Sequence, residues 1–230
     1  MLGLSELEAE ALSLSLWVSL WAMLISLPPG LAAAWLLARR RFPGKTLIDG
    51  LIHLPLVLPP VVTGYLLLVV LGRRGVVGAW LHEHLGLTLA FNWKGAAVAA
   101  AVLSFPLLVR AIRLSIEAVD RGLEQAARTL GAGPWRVFFT VTLPLCLPGV
   151  LSGMVLAFAR GLGEFGATIT FVSNIPNQTR TLPLALYSVL QVPGGEEAAQ
   201  RLCLISIVLA LLALLASEFI ARRLAARLEG

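Results

Sequence analysis

Few side chains in this chain of 230 residues have chemistry to offer, and their spacing limits what that chemistry can be. His82-Glu83-His84 sets two imidazoles around one carboxylate, a pattern able to ligate a metal. Zinc sites need three or four protein ligands and no further one lies nearby, so a solvated pair in a loop is the simpler reading, and no metal site is expected. His53 stands alone in an apolar run, without the converging nucleophile or base an active site needs, and is expected to be a packed, hydrogen-bonded residue. Cys146 and Cys203 lie in or beside apolar segments and read as small core residues, neither a disulfide nor a metal pair. The pattern GxxxxGK[ST] is absent, so the chain does not cradle ATP in the P-loop manner, and any energy from ATP must come from a partner. No catalytic residues and no cofactor are expected.

Two places hold more. Glu164 is an ionisable residue near the end of an apolar block, a functional candidate by default; an ion pair with Arg160, four positions earlier on the same helical face, is the alternative. Residues 117–144, EAVDRGLEQAARTLGAGPWRVFFTVTLP, are patterned beyond the needs of a connector. Leu123, Ala126, Ala127 and Leu130 fall at i, i+3, i+4 and i+7, which predicts a short amphipathic helix with Glu124, Gln125 and Arg128 on its other faces. Gly131 follows in the position of a left-handed C-cap, and Gly133-Pro134 prevents continuation. Such a helix, with small alanines on its ridge, can seat in a partner's groove and pass that partner's motion to the span that follows. The alternative is an interfacial helix lying on the bilayer.

The elements that must position these residues are membrane helices. Hydrophobic residues make up 58% and charged residues 13% of the chain, and the mean hydropathy is +0.86, more oil than a soluble fold can bury. Crossing a bilayer takes about 20 apolar residues of helix. The blocks at 11–37, 48–72 and 202–221 meet that length, and those at 95–109 and 143–159 reach it by borrowing flanks whose Arg110 and Arg160 can snorkel. Period-two alternation is missing, so a barrel is excluded. The expectation is an all-α, polytopic membrane protein of about five spans, one domain over 1–230. Pro28-Pro29-Gly30 predicts a kink or an end in the first span. The second carries His53, Pro55, Pro59, Pro60, Thr63 and Gly64, breakers that free backbone carbonyls. It must therefore be either tightly packed and kinked or the lining of a polar pathway. Residues 182–190 are too few to span and read as an outer-face or re-entrant helix, and Trp80 and Trp93 as interfacial anchors.

The charges orient the chain. Arg39, Arg40, Arg41, Lys45, Arg110, Arg113, Arg121, Arg128, Arg136, Arg222, Arg223 and Arg227 fall on one side, and only Arg73, Arg74, Lys94, Arg160, Arg180 and Arg201 on the other. The positive-inside bias then puts the N-terminus outside and the C-terminus in the cytoplasm. The first ten residues carry Glu6, Glu8 and Glu10 and no Lys or Arg, so the first block reads as a retained span rather than a cleaved signal. The net charge of +5 is a topology signal and a match to anionic lipid; no soluble basic domain exists to hold nucleic acid.

The patterned loop resembles the EAA signature of ABC importer permeases. Ala126 and Ala127 match its alanines, Gly131 its glycine, Val141 its isoleucine and Leu143-Pro144 its closing pair. Gln125 stands where the family has glutamate, with Glu124 one place early. The strings 41–45 (RFPGK), 54–55 (LP), 58–64 (LPPVVTG), 127–131 (ARTLG), 136–140 (RVFFT) and 164–167 (EFGA) are similar to the molybdate-type permeases within that family. The resemblance implies a type I ABC importer permease (MetI-like) fold in the cell inner membrane, with 117–144 as a cytoplasmic coupling loop. It implies a homodimer with one pathway at its two-fold axis, two copies of a cytoplasmic ATPase, and an external periplasmic protein that delivers the oxyanion. Coupling would then fall to Glu124, Gln125, Ala126, Ala127, Arg128, Gly131, Leu143 and Pro144. A pathway for a tetrahedral dianion should offer hydroxyls and backbone donors, which makes Thr63, Ser104 and Ser152, with Pro59, Pro60 and Glu164, its candidates. Secondary transport fits less well, because the spans are nearly free of Asp, Glu and Lys, and the exceptions Asp49, Glu164 and Glu218 lie near span ends.

Overall fold

The computed structural model describes residues 4–228; the side chains of 217, 218 and 220–228, and with them Glu218, Arg222, Arg223 and Arg227, lie outside the described residues. In chain order the helices are α1 (Glu6–Arg39), α2 (Lys45–Val57), α3 (Pro60–Leu71), α4 (Val76–Leu85), α5 (Trp93–Ala118), α6 (Arg121–Thr129) and α7 (Pro134–Val137). A π-helical turn over Phe138–Thr142 leads into α8 (Leu143–Leu162), and α9 (Gly166–Val172), α10 (Leu182–Leu190) and α11 (Glu196–Leu228) complete the chain. The fold is all-α. Among the described residues, four helices are long and apolar enough to cross a membrane, or five with the broken pair α2–α3 counted as one span.

The first span starts from a capping box, in which the Ser5 hydroxyl accepts from the Glu8 amide and the Glu8 carboxylate accepts from the Ser5 amide. Of the kink or end expected at Pro28-Pro29-Gly30, the end does not occur: α1 continues through both prolines to Arg39. Gly30 makes the packing there possible, since a Cβ would come within 3.0 Å of the Leu108 side chain on α5.

The second apolar block departs furthest from a simple span. It is two helices meeting at 114°. Proline explains the break: the carbonyls of Pro55 and Leu56 would bond to the amides of residues 59 and 60, both prolines with no N–H to give. The residue before each proline is also driven to extended backbone, as Leu58 is at ψ 141° and Pro59 at ψ 133°. The fourth apolar block shows the opposite deviation, because the helical run into α8 begins at Pro134, well ahead of the apolar residues at Leu143.

The central helix α5 is buried along most of its length, in one cluster with α1 and α9 (Val18, Ala22, Ala96, Ala100, Phe171) and another with α1 and α8 (Leu37, Leu108, Ile112, Val150). Against α8 the contact is made by Gly149 and Gly153, one turn apart, whose missing side chains admit Ser115 and Ala111. This is close packing through small residues, the usual way membrane helices associate without a hydrophobic drive between them. The last helix, α11, lies at the edge. Arg201 at its start pairs at 3.1 Å with the buried Glu8, and Cys203 on its outer side is exposed, unlike the buried Cys146. The expectation of a core Cys203 therefore fails, because the residue lies on a face of α11 left exposed among the described residues.

Candidate functional site

Two regions bring the sequence candidates together. The first is the loop helix α6. Asp120 caps it by accepting from the Gly122 amide at 2.8 Å. It ends in a Schellman arrangement: Gly131 is left-handed at φ +83°, its amide donates to the Arg128 carbonyl at 2.9 Å, and the Ala132 amide donates to the Ala127 carbonyl at 3.1 Å.

The faces of this helix are the reverse of a soluble amphipathic helix. Leu123 is 50% and Leu130 89% exposed, and Gln125, Ala126 and Arg128 are also exposed, whereas Glu124 is buried. The Glu124 carboxylate is held from two sides. Arg39, at the end of α1, approaches within 3.0 Å through Nη2 and 3.1 Å through Nε, and Thr142, in the π-helical turn, donates its hydroxyl at 2.7 Å. Arg39 also donates to the Val119 carbonyl at 3.1 Å, tying down the linker that enters α6. One carboxylate thus joins the first span, the loop helix and the start of the fourth span. Glu124 faces the body of the subunit, and the surface open to a partner is made by Leu123, Gln125, Ala126, Arg128 and Leu130. Gly131 is exposed beside them, while Leu143 and Pro144 lie on α8, beyond the π-helical turn.

The second region is the broken span. The start of α3 crosses α9 at backbone contact. A Cβ on Gly64 would fall 2.6 Å from the Ala167 carbonyl oxygen, and one on Gly166 would fall 2.8 Å from Pro60 Cβ. The strings 58–64 and 164–167, separate in the chain, form one structure here. Glu164 is 3% exposed, pairs with Arg160 at 2.8 Å and accepts from the Ala167 amide at 2.9 Å, so the expected ion pair forms, but from the loop after α8 rather than from a shared helical face, and the same carboxylate satisfies an amide in the first turn of α9. Pro59 and Pro60 are exposed at the bend; Thr63 is buried, its hydroxyl without a partner among the described residues. Ser104 is fully buried and donates to the Ala101 carbonyl at 3.2 Å, and Ser152 is half-buried on α8. The bend therefore gathers Pro59, Pro60, Thr63 and Glu164, while Ser104 and Ser152 stand apart on α5 and α8.

Sequence reasoning missed Arg39 and Thr142 as partners of Glu124, since nothing local marks them; Arg39 read only as one more interfacial charge. The spacing of Gly149 and Gly153 was a legible small-xxx-small signal that went unused. Near the bend, Asp49 and Arg113 pair at 2.8 Å, joining α2 to α5, with His53 at 3.2 Å from the same carboxylate. His53 is thus the hydrogen-bonded residue expected, and its Nδ1 also lies 2.8 Å from the Asp49 carbonyl.

A helical membrane fold with no ATP-binding loop of its own and a structured loop helix is the architecture of a transport subunit. The sequence model of the binding-protein-dependent transport system inner membrane component family matches residues 28–229, and the chain belongs to that family. It is 65% identical over 219 residues to the molybdenum transport system permease protein ModB of Escherichia coli K12, covering 95% of this chain and 96% of that one. The Haemophilus influenzae protein of the same name is 61% identical, with 96% and 97% covered. Among solved structures, a bacterial ABC transporter that imports the acidic polysaccharide alginate superposes with a TM-score of 0.74 at 18% identity, over 96% of this chain and 80% of that one. An inward-facing MetNI methionine ABC transporter gives 0.74 at 17%, over 96% and 99%. These last two bear on the fold alone.

Proposed function

We propose that the chain, paired with a second copy of itself, forms the transmembrane pathway of an ATP-driven importer of molybdate or a closely related tetrahedral oxyanion such as tungstate. A cytoplasmic ATPase seats on the outward face of α6, an external binding protein delivers the ion on the opposite side, and the N-terminus lies outside. The observation that carries the reading is α6 itself: a rigidly capped helix whose apolar residues Leu123 and Leu130 face outward while Glu124 anchors it inward. A helix built to lie on the subunit would have those faces exchanged. Relatives named as molybdenum permeases, identical at nearly two residues in three, supply the substrate class.

Pairing with a second copy follows from the broken span. Neither half crosses a bilayer alone, and the carbonyls freed at the bend need protein or water. Leu51, Val57, Val61, Tyr65 and Val69 along this pair are all more than half exposed in the single subunit. A two-fold axis beside the bend covers that surface and puts two bends at one pathway, where backbone donors at the start of α3 meet an anion without holding it fast. ATP closure of the partner then moves α6, and through Glu124 moves α1 and α8 together, opening the pathway to alternate sides.

The test is reconstitution of the chain with its co-purifying subunits in proteoliposomes, supplied with loaded binding protein. ATP-dependent molybdate uptake that excess sulfate does not abolish supports the proposal. A chain that purifies alone and hydrolyses nothing in company refutes it.

A further inference from the structure

We infer that the pocket between the end of α1 and the loop helix is a binding site for a phosphate group. It has a volume of about 330 Å³, opens to solvent, and is lined by Trp35, Arg39 and Arg40 from α1 and its C-cap, by Glu124 and Arg128 from α6, and by Phe138. Three guanidiniums meet one carboxylate there. Arg39 and Thr142 both bind Glu124 through Oε1, and Arg40 and Arg128 have no carboxylate partner among the described residues. Arg40 is oriented all the same, stacked with its Cζ 5.3 Å from the Trp35 ring centre, a contact that leaves its N–H edge free for an oxyanion.

Two guanidiniums without a carboxylate partner border the same open pocket, and an anion with several acceptor oxygens can use the donors of both. Phosphate matches the planar guanidinium fork. The place in the fold favours it too: the pocket lies at the last turn of α1, a helix long and apolar enough to cross a membrane, with an aromatic ring in its lining and Trp135 and Phe139 exposed nearby as an apolar approach. The phosphate belongs either to an anionic lipid headgroup or to a soluble phosphate compound. The site does not rest on the transport reading, and its test reads binding alone, so either can fail without the other.

The experiment takes the transporter purified from native membranes with its accompanying subunits, as wild type, as Arg40→Gln/Arg128→Gln and, as a control, as Arg73→Gln/Arg74→Gln. Native mass spectrometry counts retained phosphatidylglycerol against phosphatidylcholine; in a second arm, inorganic phosphate is titrated against the thermal midpoint in phosphatidylcholine nanodiscs. Loss of two charge-assisted contacts weakens binding about tenfold or more in the first variant and leaves the control unchanged. Loss of phosphatidylglycerol alone assigns the lipid headgroup, and loss of the phosphate-dependent midpoint shift alone assigns the soluble anion. An Arg40→Lys/Arg128→Lys variant, which keeps the charges, should retain part of the binding and separates recognition from misfolding. If wild type and the glutamine variant match in both arms, the site does not exist.

Discussion

Replacing Glu124 by alanine removes the one acceptor that Arg39 and Thr142 share. The pair is nearly enclosed, with side chains 9% and 10% exposed. Stripping one member from a buried pair costs about 3–5 kcal/mol, because the other charge is left unmatched in a poor solvent. Two features reduce that here: Arg39 keeps its bond to the Val119 carbonyl, and the adjoining pocket admits water to its guanidinium. The expected loss is about 2 kcal/mol, near the value of a single charge-assisted hydrogen bond. For a chain of this size that lowers the thermal midpoint by about 4–8 °C. Glu124→Gln keeps the shape and one carbonyl acceptor but cannot serve both donors with full charge, and should lose about half as much. Arg39→Met with Glu124→Met removes both charges together and should recover most of the alanine loss. The assay is thermal unfolding in mild detergent, with Gln125→Ala as the neighbour whose side chain faces outward and whose effect should stay within about 0.5 kcal/mol. A Glu124→Ala midpoint indistinguishable from that of Gln125→Ala would show that the carboxylate anchors nothing, and the mechanical link drawn from α6 to α1 and α8 would fall with it.

Gly131→Val forces a β-branched residue into left-handed backbone at φ +83°, a strain of about 1–2 kcal/mol at the end of α6. The protein should insert normally while ATP hydrolysis by the assembled transporter continues without uptake; normal uptake removes α6 from the coupling path. Gly64→Ala puts a methyl group 2.6 Å from the Ala167 carbonyl oxygen, which only movement of α3 from α9 can relieve. A loss of about 1–3 kcal/mol is expected, read as a lower thermal midpoint, and an unchanged midpoint with full uptake would contradict the close crossing. Single cysteines at Glu6 and Gln125, in a chain with Cys146 and Cys203 replaced by serine, test orientation with an impermeant maleimide: intact spheroplasts should label the first, and inside-out vesicles the second. The opposite pattern inverts the topology.

How much of this was legible beforehand depends on the range of the physics involved. Apolar blocks, the helix at 121–129 and its glycine stop are local features, written within a few residues, and they were readable as such. The expected ion pair of Arg160 with Glu164 is also local, four residues apart, and it is present at 2.8 Å, although α8 ends at Leu162 and Glu164 reaches back from the loop. The break at Pro59-Pro60 was legible as a place of strain but not as a bend of 114°, because proline removes hydrogen bonds without dictating the new direction of the chain. That direction comes from Gly64 and Gly166, which allow α3 to lie against α9, a contact between residues far apart in sequence.

The facing of α6 illustrates the deeper reason. Helical periodicity identifies an apolar stripe but not what it meets, and the default assumption sends the stripe inward. Here a single acidic residue decides otherwise. Glu124 can be buried because Arg39 and Thr142 wait for it from elements that flank α6 in space, one of them 85 residues away along the chain. With its polar contact spent inside the subunit, the helix leaves Leu123 and Leu130 at the surface, where the ATPase of the proposed function would cover them. An apolar ridge outward and a charge held inward are what a docking helix requires, so the proposed ATPase contact accounts for both faces of α6 with one arrangement.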